Sequence, residues 1–172
     1  MPRRANNKNK ILTIAILSLI TGTLNAIAIV ISFYPASIAR VFRYIASGCF
    51  GLSAFNDDHM VLLGLLFHYV ISIIFSLAFW AIYPKFKNGL KNKYFIGVIF
   101  GLITWVVMNF AVLPLTNIPK PPEHTSINML TAIEGIAALI ICVGLPAALI
   151  SDRYYVGKAK RAARRRVRNN YS

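Results

Sequence analysis

The chain has 172 residues, 57% of them hydrophobic, with 19 lysines and arginines against 5 acids for a net charge of +14. A mean hydropathy of +0.61 excludes an ordinary soluble domain of this size, and the apolar stretches leave no length for a separate soluble catalytic domain. The bases sit in blocks between those stretches, which argues for a membrane surface rather than nucleic acid as the anionic partner.

A basic tail, 1–10, carries Arg3, Arg4, Lys8 and Lys10. Four apolar stretches follow, at 11–33, 60–82, 94–115 and 127–150, and Glu134 is the one acid or base within them. At ~1.5 Å per residue, stretches of about 22–24 residues reach roughly 33–36 Å, enough to cross a ~30 Å hydrocarbon layer. The first exceeds the ~7–15 residues of a signal-peptide core and no small-x-small cleavage site follows it, so it is expected to be a span. Arg3-Arg4 stands too far from the apolar core to read as a twin-arginine signal.

Pro35 ends the first helix. Beyond it, Arg40 and Arg43 set three apart among apolar residues predict a short amphipathic helix within 34–55, ahead of the small run Ala46-Ser47-Gly48. That helix is expected to be interfacial or partly re-entrant; a fifth span would put the two tails on opposite sides and break the charge pattern. Asn88-Gly89 marks a short turn over 86–93 and predicts that spans two and three are antiparallel neighbours. Residues 118–122, rich in proline, read as a rigid extended connector. Pro146 predicts a kink in the fourth span, beginning at Gly144, and Tyr154-Tyr155 suits an aromatic belt. A basic tail, 151–172, closes the chain.

All but three of the 19 bases fall in the two tails and in the loop bearing Lys85, Lys87, Lys91 and Lys93. The other three, Arg40, Arg43 and Lys120, stand with Asp57, Asp58 and Glu123 in the alternate loops. The positive-inside rule then predicts both termini in the cytoplasm. Lys158, Lys160, Arg161, Arg164, Arg165, Arg166 and Arg168 are expected to contact anionic lipids at that face.

Small residues at four-residue spacing form three stripes, Ser18-Gly22-Ala26, Gly64-His68-Ser72-Ser76 and Gly97-Gly101, which predict helix contact faces. Asn25, His68, Asn109 and Glu134, one from each span, fall roughly 7–12 Å below the outer edge by residue count. This polar layer is either a hydrogen-bond cluster that fixes helix register or a site for a proton, ion or small ligand. Glu134 is expected to face the bundle and to pair with His68, because an ionised carboxylate facing lipid costs at least ~2–3 kcal/mol.

Asp57-Asp58-His59 and Glu123-His124 combine carboxylate with imidazole, but neither has a ligand spacing, so no metal and no cofactor are expected. There is no nucleophile motif and no phosphate-cradling glycine loop, so no catalytic residues are assigned. Cys49 and Cys142 fall in opposite halves of the membrane and predict no bridge.

Across 64–122 the order and spacing of several residues resembles the YagU-like family of uncharacterised bacterial inner-membrane proteins. The residues are His68 with Ser72, Phe75, Pro84-Lys85-Phe86-Lys87, Gly97-x-x-x-Gly101 and Pro114-Leu115, with departures at Trp105 and Asn109. The resemblance implies a multi-span protein of the bacterial inner membrane and assigns no reaction. The expected fold is an all-α integral membrane four-helix bundle with a short interfacial or partly re-entrant helix between spans one and two. The expected function is non-enzymatic. The alternative is a small proton-linked transporter or permeation unit, which would call for a homo-oligomer because four short helices enclose little volume.

Overall fold

The computed structural model describes residues 3–118 and 129–170. The proline-rich connector at 119–122, Glu123, His124 and the expected start of the fourth span at 127 lie outside the described residues, which are helical with no strand. α1 covers Arg3–Ser32 and α2 Ile38–Phe50, followed by a tight 3-10 turn, Gly51–Phe55. α3 covers His59–Gly89. α4 covers Lys93–Val107 and runs on through a wide turn, Met108–Val112, and a 3-10 turn, Leu113–Leu115. α5, Met129–Leu139, a second wide turn, Ile140–Gly144, and α6, Leu145–Asn170, follow one another without a break and make the fourth span. Four of these helical runs are long and apolar enough to cross a membrane, and the chain is a multi-pass membrane protein.

Local chemistry sets the boundaries. Ser37 starts α2 by accepting the Arg40 N–H on its hydroxyl at 3.2 Å, and Asn92 starts α4 by accepting the Tyr94 N–H at 2.9 Å. α2 stops at Gly51, whose φ of +60° a residue with a Cβ rarely adopts. Both wide turns end two residues before a proline, Pro114 and Pro146. The N–H of Leu113 reaches back five residues to the Met108 carbonyl, and that of Leu145 to the Ile140 carbonyl. A proline ring clashes with the carbonyl four residues earlier and offers it no N–H, and widening the preceding turn relieves both problems. The kink expected at Gly144 is thus a full wide turn that ends there.

α3 continues past the expected boundary at 82 to Gly89, so the link to α4 is only 90–92. Tyr83 and Phe86 keep packing against the core and Lys87 finds an ionic partner, which holds the extra turns in place. The joined helices α3 and α4 meet where the Phe79 and Phe100 rings pack tilted at 54°, centroids 4.3 Å apart, but neither is the other's main partner. α1 packs between α3 and the fourth span, and α4 lies chiefly along the fourth span.

Backbones approach closely at the expected stripes. A Cβ on Gly144 would overlap the Gly97 carbonyl oxygen, and one on Gly97 would come within 2.9 Å of the Gly144 oxygen. A Cβ on Gly101 would strike the Ile140 backbone, and one on Gly64 the Phe42 carbonyl of α2. Lipid tails are as apolar as leucine, so such contacts take over what hydrophobic burial does in water. Side chains such as Ile31, Leu62, Leu66 and Phe110 accordingly stay exposed on the outer surface of the bundle.

The buried cluster of Leu17, Phe79, Tyr83, Ile96, Phe100 and Val143 lies toward the end where the tails emerge. At the opposite end α2 takes over the filling, with Val41, Phe42, Ala46 and Ser47 turned inward over α3. It reaches from the end of α1, where Phe33 meets Tyr44 at 5.5 Å, to the end of the α4 run. There the Asn117 N–H donates to the Gly48 carbonyl at 2.8 Å. Thirteen residues are too few to span, so α2 is a short helix packed across one end of the bundle.

Gly144→Ala is expected to lower the thermal stability of the detergent-solubilised protein by about 1–3 kcal/mol through overpacking. Gly157→Ala, at a helix position with open space around it, should gain up to about 1 kcal/mol of helix propensity. Melting curves of the two variants decide the matter; equal tolerance would contradict the backbone contact.

Candidate functional site

The polar groups of the spans collect along the seam between α1 and α3. The α1 stripe meets the α3 stripe at Gly22, and Thr21 beside it reaches Ser76. Thr21 and Ser76 hydroxyls stand 3.4 Å apart, and Gly22 lies against Ser72 and Tyr69. Closer to the α2 end, Thr23 and Tyr69 hydroxyls are 2.9 Å apart. His68 is buried in this seam, its Nε2 2.8 Å from the Gly22 carbonyl oxygen. A carbonyl oxygen only accepts, so Nε2 carries the proton. The ring is walled edge-on by Phe42 at 6.4 Å and Tyr69 at 5.7 Å. Several buried hydroxyls of the spans, Thr21 included, also turn back on their own helix: Ser18 on Ile14, Thr21 on Leu17 and Thr104 on Phe100.

The four groups expected to form one layer are not brought together. His68 belongs to the α1–α3 seam. Asn109, inside the wide turn of the α4 run, spends its amide N–H on the Trp105 carbonyl at 2.9 Å. Asn25 is half-buried on α1 and forms no side-chain hydrogen bond with a described residue. Glu134 is exposed, with no hydrogen bond or ion pair to a described residue. The expectation that Glu134 faces the bundle and pairs with His68 is therefore corrected. The face that α5 turns inward is set by closeness of approach rather than by polarity. Gly135 sits against the Trp105 indole, 3.1 Å from its Nε1 to where a Cβ would stand. That contact turns Leu130, Ile133, Glu134, Ala137 and Ile141 onto the outward stripe.

The sequence reading overlooked Asp152. Its carboxylate takes Lys87 Nζ at 2.7 Å and the Tyr83 hydroxyl at 3.0 Å on one oxygen, with Lys93 Nζ at 3.9 Å from the other. α3, α4 and α6 are thereby tied at the tail end. Two signals could have found it: Asp152 is the single acid in the three basic segments, and Tyr83 and Lys87 sit four apart on one face of α3. Beside it, Tyr154 and Tyr155 pack on Trp80 at 4.7 and 5.3 Å.

Of the loop groups considered for metal, Asp57 and Asp58 are in structural use, while Glu123 and His124 lie outside the described residues. Asp57 accepts the His59 N–H at 2.8 Å, and Asp58 pairs with Arg43. Cys49 and Cys142 are free thiols. Of the basic side chains named for lipid contact, Lys158, Arg161 and Arg164 are exposed on α6. Lys160, Arg165, Arg166 and Arg168 belong to the same helix, with side chains outside the described ones. Searches against family models, curated proteins and solved structures give no match to the chain.

Because His68 and Glu134 do not meet, their losses should add. His68→Phe should lower stability in detergent by about 0.5–1.5 kcal/mol through the missing bond to Gly22, while Glu134→Leu should be neutral or stabilising. The double variant should match the sum within about 0.3–0.5 kcal/mol. A coupling of 1 kcal/mol or more would restore the paired site.

Proposed function

We propose that this is a non-enzymatic multi-pass protein of a bacterial inner membrane, with both termini in the cytoplasm and its basic face held against anionic lipid. The observation that carries the reading is α6. It runs unbroken from the fourth span to Asn170, so the basic residues after Asp152 form one helix of roughly 27 Å at ~1.5 Å per residue. Val156, Ala159, Ala163 and Val167 share one side of that helix, with bases to either side. A helix of this kind lies in a headgroup region with its narrow apolar stripe inward. The one acid of these segments, Asp152, is already neutralised by Lys87 and Lys93, so it subtracts little from the outward positive field. The resemblance of 64–122 to the YagU-like family implies an inner-membrane setting and adds no reaction.

The rival reading, a small proton-linked transporter or permeation unit, has less support. It would draw on His68 and Glu134 together, yet His68 commits its ring N–H to a backbone carbonyl and Glu134 stands on the outward stripe.

The test uses the full chain in liposomes with a nitroxide at Val167→Cys, the native thiols removed by Cys49→Ser and Cys142→Ser. In membranes with anionic lipid the label should sit in the headgroup region, and rising salt should release it, since each base contributes about 1 kcal/mol that salt screens. A reporter fused after Ser172 should at the same time read cytoplasmic. A label equally immersed in purely zwitterionic membranes would contradict the electrostatic docking. A periplasmic reporter would contradict the orientation.

A further inference from the structure

Where α1 ends, the chain turns at Pro35 and returns as α2, and the 51–55 turn folds against the same side. Between these three pieces lies an open cleft of about 400 Å³. Phe33, Ala36, Val41, Leu52 and Phe55 give it apolar walls, and Arg40 and Tyr44 are its polar members. The volume is in the range of sites that hold a small ligand or a stretch of chain.

Among the described residues the charge of Arg40 is unmatched. At this end of the bundle Asp58 is taken by Arg43 and Asp57 by the His59 N–H. Among the described residues no carboxylate pairs with Arg40, and the Tyr44 hydroxyl has no hydrogen-bond partner. The cleft thus offers a guanidinium and a phenolic O–H beside five apolar side chains. A small water-soluble anion would satisfy the first pair and leave the walls bare. A wholly apolar molecule would do the reverse. An anionic head joined to an alkyl chain satisfies both, because a guanidinium presents a fork of N–H donors that fits a phosphate.

Position points the same way. Phe33 is the last residue of the first apolar stretch and Arg40 lies within the first turn of α2, so the cleft stands where the chain leaves the hydrocarbon layer. Lipid is the surrounding solvent there. We propose that this cleft is a binding site for one anionic phospholipid, its phosphate on Arg40 and Tyr44 and an acyl chain between Phe33, Leu52 and Phe55. The site is at the end opposite the basic helix and does not depend on what that helix does.

The experiment places the full chain in nanodiscs with phosphatidylglycerol that carries a photoactivatable diazirine on its acyl chain, and maps the adducts by peptide mass spectrometry. Adducts at Phe33, Leu52 and Phe55 should exceed those at the lipid-exposed Leu62 and Leu66 of α3 several-fold. Phosphatidylcholine with the same chain should show a smaller excess. Arg40→Gln, a change at an exposed side chain, should bring phosphatidylglycerol down to the phosphatidylcholine level. Ala36→Trp, which fills the cleft, should remove the excess for both lipids, and should this variant fail to fold, Arg40→Gln decides alone. Inorganic phosphate at millimolar concentration should leave the labelling unchanged. Labelling no greater than at Leu62 and Leu66, or insensitive to Arg40→Gln, would overturn the proposal. Displacement by inorganic phosphate would overturn it too, by showing a site for a small anion rather than a lipid.

Discussion

Gly97, Gly101 and Gly144 let the backbones of α4 and the fourth span come closer than any side chain would allow, and much of the molecule is placed by that contact. It fixes the height of the fourth span, which brings Val143, Ala147 and Ala148 against Leu17, Phe79 and Phe100. It also fixes where α6 leaves the membrane. Asp152 emerges beside Tyr83 and Lys87 of α3 and near Lys93 of α4, and three helices close around one carboxylate. The direction of the basic helix follows from the same anchor. The wide turn before Pro146 ends on Gly144, so the relief of the proline clash and the close approach occupy the same residues.

The solvent explains why glycine does this work. In water the aliphatic surface of these helices would drive them together at ~25 cal/mol per Å². Against hydrocarbon that drive is gone, and the outward leucines and isoleucines are content where they are. Association then depends on backbone contact, on aromatic packing such as Phe79 on Phe100, and on a few internal hydrogen bonds such as His68 to Gly22. Each buried polar group is satisfied close at hand where it can be, since water is not there to do it. Ser151 is an exception, fully buried with its hydroxyl unpartnered among the described residues.

The four spans, the short helix after the first of them and the three small-residue stripes were legible in the sequence because each is a one-dimensional pattern. Apolar length reports a span, proline reports a break, and four-residue spacing reports a helix face. The orientation of α5 was not legible. The cost of its charge argues for Glu134 facing inward, whereas Gly135 beside it decides which face can approach Trp105. Polarity predicts what a residue prefers, and close packing decides what the helix as a whole can adopt. The lateral order was likewise hidden: a three-residue link joins α3 to α4, yet α4 found its main partner in a span further along the chain. Asp152 carries little signal in the sequence because it lies just beyond an apolar stretch, where acids are ordinary, and its three partners come from two other helices.

The glycine contact can be read directly in a bilayer. The chain has ten glycines, so glycine-only carbon labelling and magic-angle-spinning NMR in lipid report few pairs. Gly97 and Gly101, one turn apart on α4, supply an internal reference. A cross-peak between the backbone carbons of Gly97 and Gly144, lost in Gly144→Ala, is the result this account predicts. A spectrum that shows the Gly97–Gly101 peak and none to Gly144 would contradict it, and with it the placement of the fourth span.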